Sequence, residues 1–276
     1  MRSPFARLSE SFRRPRRVLV LCYHRVAALN HDPHQLAVSP GRFAEHLEVI
    51  RSIGEPIRLS ELRGYLNSPF GAGQRVCVTF DDGYADNLST ALPLLERAAV
   101  PATVFVVTDA LSSWDRFPWD DAPTDDGEPT RPRANGSASA NFATPRTVLT
   151  PEQFDRLAAH RLIDIGAHTA SHPRLSDCPV DAQRREVQSS RRWLSDRLGR
   201  EVTSMAYPHG AYSRLTVQIA RESGFELACT VQAGAAWRGS DLLQLPRLTI
   251  RDQDAGALDR RLRTWLAQPL GPVETP

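Results

Sequence analysis

The chain has 276 residues, a hydrophobic content of 41% and a formal charge of +2 at neutral pH. This length and content suffice for one sizeable core, and the near balance of charge gives no support for nucleic-acid binding. Every basic residue is arginine, which excludes a P-loop lysine, a Schiff-base lysine and a lysine base. The four cysteines, Cys22, Cys77, Cys178 and Cys229, show neither metal nor redox spacing.

The N-terminal segment is strongly basic. Residues 1–17 contain six arginines and a single acid, Glu10. We expect residues 1–16 to form a flexible tail. The apolar run that follows, 18–23, is too short for a signal sequence or a membrane span. We therefore expect a cytoplasmic location, with weak contact between the arginines and an anionic membrane surface as an open alternative. The sequence gives no prediction of the oligomeric state.

Strands and helices are predicted to alternate along the rest of the chain. The predicted strands cover 18–22, 76–80, 102–107, 163–166, 202–207, 228–231 and 245–250. The first predicted helix begins near 39–41. The others cover 59–66, 87–98, 150–160, 180–198, 215–223 and 255–266, and Asp86 or Asn87 is predicted to cap the helix at 87–98. Such alternation indicates parallel strands with right-handed crossovers. We expect one α/β domain over 17–268, a barrel of seven or eight strands.

Residues 112–149 have a different character. They contain five prolines and show no hydrophobic period, so they predict a long surface insertion that is partly disordered. Trp114, Phe117 and Trp119 at its start could form a platform for a sugar or pack beneath the loop. Residues 269–276 are predicted to be a C-terminal tail.

The first candidate site residues follow a buried strand. The apolar run 76–80 ends in Asp81, Asp82 and Gly83, at the strand end where α/β proteins place their chemistry. An ordinary turn would explain Gly83 but not two carboxylates emerging from a buried strand. His168 and His172 follow a second apolar run, and two exposed histidines at a helix start are the alternative interpretation there.

One carboxylate and two histidines form a set that can hold a divalent metal, most simply Zn²⁺, with positions left for water and substrate. The second carboxylate cannot bind the same ion in the same geometry. It is predicted to accept a proton from a water molecule that the metal makes more acidic.

Three motifs resemble those of a known family: TFDDGY at 79–84, HTASH at 168–172 and AYPHG at 206–210. Their order and spacing are similar to those of the polysaccharide deacetylases of carbohydrate esterase family four, the NodB-homology group, over roughly residues 18–266. The resemblance implies a distorted (β/α)7 barrel and metal-dependent removal of acetyl groups from N-acetylated sugars. It implies Asp81 as the general base and Asp82, His168 and His172 as the metal ligands.

The third motif is predicted to contact the substrate through four residues, Tyr207, Pro208, His209 and Gly210, and the His209 N–H is the candidate donor to the oxyanion. Many family members carry an arginine at the start of this motif, where this chain has Ala206, and a C-terminal Leu-x-His histidine that acts as the acid. No histidine follows His209 in this chain.

Two other residues could fill these gaps. His24 ends the first strand segment, which is similar to the branch that contains poly-N-acetylglucosamine deacetylases, and it is predicted to be the general acid. Arg247 closes a later strand and is predicted to orient the base. A core histidine and a surface ion pair are the alternative interpretations.

The expected partner is an N-acetylated glycan or its lipid-linked precursor. An esterase for O-acetyl groups, or a hydrolase of another amide on the same barrel, remains open. So does a catalytically silent carbohydrate-binding protein, although a binder need not retain both the base and the ligands.

Overall fold

The structure is a computed structural model that describes residues 16–68, 73–120 and 146–268. The predicted tails at 1–16 and 269–276 lie outside the described residues except for Arg16, which donates a hydrogen bond to the Tyr65 carbonyl at 3.0 Å. Of the predicted insertion at 112–149, residues 121–145 also lie outside the described residues.

Eleven strands are formed within the described residues. They are β1 (Arg17–Tyr23), β2 (Arg25–Val26), β3 (Ala37–Val38), β4 (Glu55–Pro56), β5 (Arg75–Phe80), β6 (Ala102–Val106), β7 (Ile163–Ala167), β8 (Ser204–Ala206), β9 (Leu227–Cys229), β10 (Ala236–Trp237) and β11 (Leu248–Thr249).

The α-helices alternate with these strands. They are α1 (Pro40–Ile53), α2 (Leu62–Asn67), α3 (Leu92–Ala98), α4 (Thr108–Ser113), α5 (Pro151–Ala158), α6 (Val180–Leu198), α7 (Arg214–Glu222) and α8 (Ala255–Ala267). None of the helices in the described ranges is long and apolar enough to cross a bilayer.

Seven parallel strands close into a ring. The strands β1, β5, β6, β7, β8 and β9 are neighbours in this order, and β11 pairs in parallel with β1 through Leu21 and Leu248. A single bridge between Cys229 and Leu245 joins β9 to the segment that leads into β11. The predicted distorted (β/α)7 barrel is therefore confirmed. The junction between β9 and β11 has few strand-pairing contacts.

The barrel strands are buried on both faces, as their continuous apolar runs predict. A small inner core includes Val20, Cys77, Phe105 and Cys229. Gly166 on β7 allows this packing, because a Cβ at that position would lie 2.4 Å from the Phe105 ring. The larger core fills the space between the barrel and the surrounding helices.

The predicted helix at 87–98 begins differently from the prediction. Residues Asn87–Ala91 form a π-helical turn, and Pro93, which has no N–H to donate, lies just after it. Asp86 does not cap this helix through its side chain. Its carboxylate instead accepts hydrogen bonds from Arg25 Nε and from the Val26 N–H, both at 3.0 Å.

His46 is a buried polar residue of the outer helical layer. It lies on the buried face of α1 with no exposed surface. Its Nε2 lies 2.8 Å from the Gln253 carbonyl and its Nδ1 lies 3.3 Å from the Tyr23 hydroxyl. Since a carbonyl only accepts, Nε2 carries the proton and Nδ1 accepts from Tyr23.

Candidate metal and catalytic site

Most of the predicted site residues lie at the carboxyl ends of the barrel strands, whereas Arg247 precedes its strand and does not close it as predicted. Asp81 and Asp82 directly follow β5, His168 follows β7, His24 follows β1, and Arg247 directly precedes β11. β11, β1 and β5 are neighbours in the sheet and only β6 separates β5 from β7, so segments far apart in the sequence converge at one edge.

Asp82, His168 and His172 place three ligand atoms around one point. The His168 and His172 Nε2 atoms are 3.2 Å apart, and Asp82 Oδ1 lies 3.5 Å from the first and 3.4 Å from the second. Tetrahedral ligands with bonds of about 2.1 Å are separated by about 3.4 Å. The three residues therefore fit a single zinc-sized ion.

The surroundings fix how these ligands face. His168 Nδ1 donates to the Ala206 carbonyl at 2.9 Å, which leaves the Nε2 lone pair directed at the shared point. The backbone also adopts uncommon positive φ values at Asp82 (74°), Thr169 (64°), His172 (63°) and His209 (56°). Such conformations cluster at functional sites because the surrounding structure must hold them in place.

The ligand loop is held by a residue that the sequence analysis did not identify. Glu186 on α6 accepts hydrogen bonds from the Ala170 N–H at 3.0 Å and the Ser171 N–H at 2.8 Å, and from the Ser171 hydroxyl at 2.7 Å. In the sequence, Glu186 is one of several charged residues of a long amphipathic helix, and nothing in the pattern distinguishes it from those that face solvent.

The pKa values of the three triad residues are shifted by burial and by their neighbours. Burial, together with the neighbouring Asp81, raises the pKa of Asp82 well above its usual value. Burial and the other imidazoles lower the pKa of His172 well below its usual value, and burial lowers the pKa of His168 to about 4. Imidazoles with lowered pKa values, next to a carboxyl group that has no guanidinium partner among the described residues, fit a metal-ion site.

Asp81 has the opposite environment. Arg247 NH1 and NH2 donate to its two oxygens, each at 2.7 Å, and the Arg247 side chain is completely buried. Arg247 Nε is held in turn by the Thr230 carbonyl at 2.8 Å. Burial alone would raise the pKa of Asp81, but Arg247 lowers it far below its usual range. Asp81 is thus a carboxylate at every ordinary pH.

His24 lies on the other side of Asp81. Its ring nitrogen, the Cys22 sulfur and an Asp81 oxygen all lie within 4.8 Å of one another. Asn87 Nδ2 holds the His24 carbonyl at 2.9 Å, and the residue is partly buried. Burial lowers the pKa of the imidazole. His24 therefore lies at the same rim as Asp81.

The third motif divides into a buried part and an exposed part. Tyr207 has no exposed surface, donates its hydroxyl to the Leu243 carbonyl at 2.9 Å and stacks on Tyr212, so its predicted contact with the substrate is wrong for the side chain. Pro208 is also buried. His209 is exposed, with its ring centroid 4.5 Å from that of His172, and Gly210 follows with a positive φ.

The aromatic residues before the insertion also divide between two roles. Phe117 is fully buried against Tyr84. Trp119 stacks on Phe117 with the ring centroids 4.8 Å apart, donates its Nε1–H to the Tyr84 hydroxyl at 2.9 Å, and lies with its ring 4.6 Å from that of His172. Trp119 is therefore a fixed aromatic wall beside the triad, whereas Phe117 packs beneath the loop.

Comparison with known proteins agrees with this geometry. A family model described as "Polysaccharide deacetylase" matches residues 71–228, more than half of the chain. The chain belongs to the polysaccharide deacetylase family. The match includes Asp81, Asp82, His168, His172 and the third motif, so the predicted enzyme class is confirmed.

Relatives within the family cover most of the chain. The Bacillus subtilis strain 168 protein named "Putative polysaccharide deacetylase YxkH" is 24% identical over 88% of this chain and 75% of its own length. The poly-β-1,6-N-acetyl-D-glucosamine N-deacetylase of Staphylococcus epidermidis is 20% identical over 69% of this chain and 58% of its own length.

A solved deacetylase shares the fold. The Streptococcus pyogenes deacetylase PplD, in complex with acetate, superposes with a TM-score of 0.70 at 25% identity. The match covers 92% of this chain and all of that chain. This agreement supports the distorted barrel as the deacetylase fold.

Proposed function

We propose that this member of the polysaccharide deacetylase family is a zinc-dependent N-deacetylase that acts on N-acetylglucosamine-containing glycans. The observation that carries the proposal is the separation of two carboxylates. Asp82 has two imidazoles as partners, with ligand atoms 3.2–3.5 Å apart. Asp81 next to it is held by Arg247 and is left out of that set.

The donor set favours a borderline metal ion. Two imidazole nitrogens and one carboxylate oxygen leave at least one position open, as in catalytic zinc sites. A zinc ion held by Asp82, His168 and His172 would polarise the acetamide carbonyl and make a nearby water more acidic. Every other function in the site is assigned to side chains and backbone groups of the chain.

Asp81 is the proposed general base. Its pKa, lowered by Arg247, keeps it ionised, and the two-point ion pair fixes its orientation. His24 is the proposed acid. Burial lowers the pKa of its imidazole, and its ring is placed to receive the proton that Asp81 removes from water and to donate it to the departing amine. The His209 N–H is the proposed donor to the oxyanion.

The names of two relatives support this substrate class. The S. epidermidis enzyme is named for poly-β-1,6-N-acetyl-D-glucosamine, and PplD was solved with acetate, the product expected of N-deacetylation. Trp119 provides an aromatic surface beside the triad on which a sugar ring can pack. An O-acetyl esterase or a silent carbohydrate-binding protein is not favoured, because family membership and the intact set of base and ligands support the deacetylase. The location near a membrane surface stays a prediction.

Acetate release tests this proposal. Purified protein is incubated with short N-acetylglucosamine oligomers and with an acetoxy sugar, before and after chelation and zinc addition. We expect release from the acetamido substrate that chelation abolishes and zinc restores. Asp81→Asn should bind metal without turnover, and His168→Ala should lose both. Normal turnover by the Asp81→Asn variant would exclude Asp81 as the base, and turnover confined to the acetoxy sugar would establish the esterase.

A further inference from the structure

A second group of potential ligands lies directly behind the proposed base. The Cys22 sulfur, a His24 ring nitrogen and an Asp81 oxygen lie within 4.8 Å of one another, and the sulfur is 3.5 Å from Asp81 Oδ2. Asp81 Oδ2 is also 4.0 Å from His168 Nε2. The carboxylate of Asp81 therefore lies between Cys22 and the triad of Asp82, His168 and His172.

A thiolate, an imidazole and a carboxylate are all zinc ligands, with bonds of about 2.0 to 2.3 Å. Cys22 and Asp81 are buried to the same degree as the triad, so burial does not distinguish the two groups. His24 is only partly buried, and a shared ion requires its ring to turn toward the other two ligands. Burial raises the pKa of the Cys22 thiol, so the sulfur stays protonated until a metal ion displaces the proton.

The ion pair with Arg247 permits this coordination but weakens it. A carboxylate offers about four lone-pair positions, and Arg247 uses one on each oxygen. A lone pair of Oδ2 on the Cys22 side therefore remains available. The guanidinium charge, and any ion already in the triad, repel a second cation. The second group should fill after the first.

We propose that Cys22, His24 and Asp81 form a second, inhibitory zinc site. A zinc ion held there removes the base and the acid from the reaction together, so excess zinc suppresses activity that one equivalent supports. The inhibition rests on the proposed function, whereas the binding of the second ion does not.

Cobalt titration tests the binding directly. Cobalt bound to a thiolate gives a near-ultraviolet charge-transfer band, and cobalt bound to nitrogen and oxygen alone does not. Metal-free protein should show no such band with the first equivalent and should develop it with the second. Cys22→Ser should lose the band, whereas Cys178→Ser, which changes a more accessible thiol outside the site, should keep it. Absence of the band from the unaltered protein would overturn the proposal.

Inhibition of acetate release by excess zinc is the second test. The rate of each variant is expressed relative to its own rate at one equivalent of zinc. Because loss of an outer-shell partner alone lowers metal affinity by about 10- to 100-fold, loss of the Cys22 ligand in Cys22→Ser should raise the zinc concentration needed for half-inhibition by at least that factor. Circular dichroism checks that this variant folds, and His24→Gln, which leaves β1 unchanged, supplies an independent loss of the band. Equal inhibition of the Cys22→Ser and unaltered enzymes would refute the inhibitory role even if the band were present.

Discussion

Arg247 and Asp81 form a buried two-point ion pair between residues 166 positions apart in the sequence. Both hydrogen bonds measure 2.7 Å, and Arg247 has no exposed surface. The family pattern places an arginine in the third motif, where this chain has Ala206. The guanidinium therefore reaches the base from the strand that closes the barrel, and the Ala206 carbonyl orients His168.

Replacing Arg247 should reveal both its structural and its chemical roles. Arg247→Met leaves Asp81 buried without a partner, so unfolding free energy should fall by about 3–5 kcal/mol. The pKa of Asp81 should rise because burial then acts unopposed, and kcat should fall by about 10²-fold or more.

Arg247→Lys separates the two effects, because it keeps the charge but loses the two-point geometry. Its kcat should fall with a smaller loss of stability, and the acidic limb of its pH–rate profile should move to higher pH. Urea denaturation and acetate release measure these changes. An Arg247→Met enzyme with unchanged kcat would show that Asp81 needs no orienting partner.

Glu186 should control metal retention without touching the metal. Glu186→Ala removes the acceptor that holds the Ala170 and Ser171 N–H groups, so zinc affinity should fall by about 10- to 100-fold. Glu186→Gln keeps one acceptor oxygen and should lose less. Competition with a chromogenic chelator measures the affinity. Glu222→Gln on α7 is the control, and an unchanged affinity in Glu186→Ala would show that the loop holds its shape alone.

The motif residues were predictable because strand periodicity placed them at one barrel edge. Apolar runs ending in Asp81 and in His168 located the chemistry before any geometry was known. Glu186 was not identified and the two candidate roles of Trp119 stayed open, since both depend on which loop packs against which helix. The burial of Tyr207 was also missed, because motif membership suggested a substrate contact while the tertiary packing gave its hydroxyl a backbone hydrogen-bond partner.

Trp119 should affect substrate binding more than the chemical step. Its ring lies 4.6 Å from the His172 ring and is fixed by Phe117 and Tyr84. Loss of an aromatic contact of about 0.5–1.5 kcal/mol predicts that Trp119→Ala raises KM by up to about tenfold. The KM of Trp119→Phe should lie between those of the unaltered enzyme and Trp119→Ala. Kinetics on N-acetylglucosamine oligomers and zinc analysis measure the effect, and a loss of kcat with unchanged KM would contradict a substrate contact.

His46 should make stability depend on pH. Burial lowers the pKa of its imidazole, so below about 6.5 the unfolded chain binds a proton that the folded chain does not. The His46 contribution is therefore complete above the unfolded pKa and is lost as pH falls toward the folded pKa. Protonation would also remove the acceptor for the Tyr23 hydroxyl.

His46→Gln isolates this effect, because glutamine can accept from Tyr23 and donate to the Gln253 carbonyl without titrating. Urea denaturation of chelated protein between pH 8 and pH 5 should show a smaller loss of unfolding free energy in this variant than in the unaltered protein. Chelation removes the contribution of metal binding from both. The control His34→Gln changes an exposed histidine and should follow the unaltered protein. Parallel curves for His46→Gln and the unaltered protein would show that the imidazole exchanges its proton equally in the folded and unfolded chains.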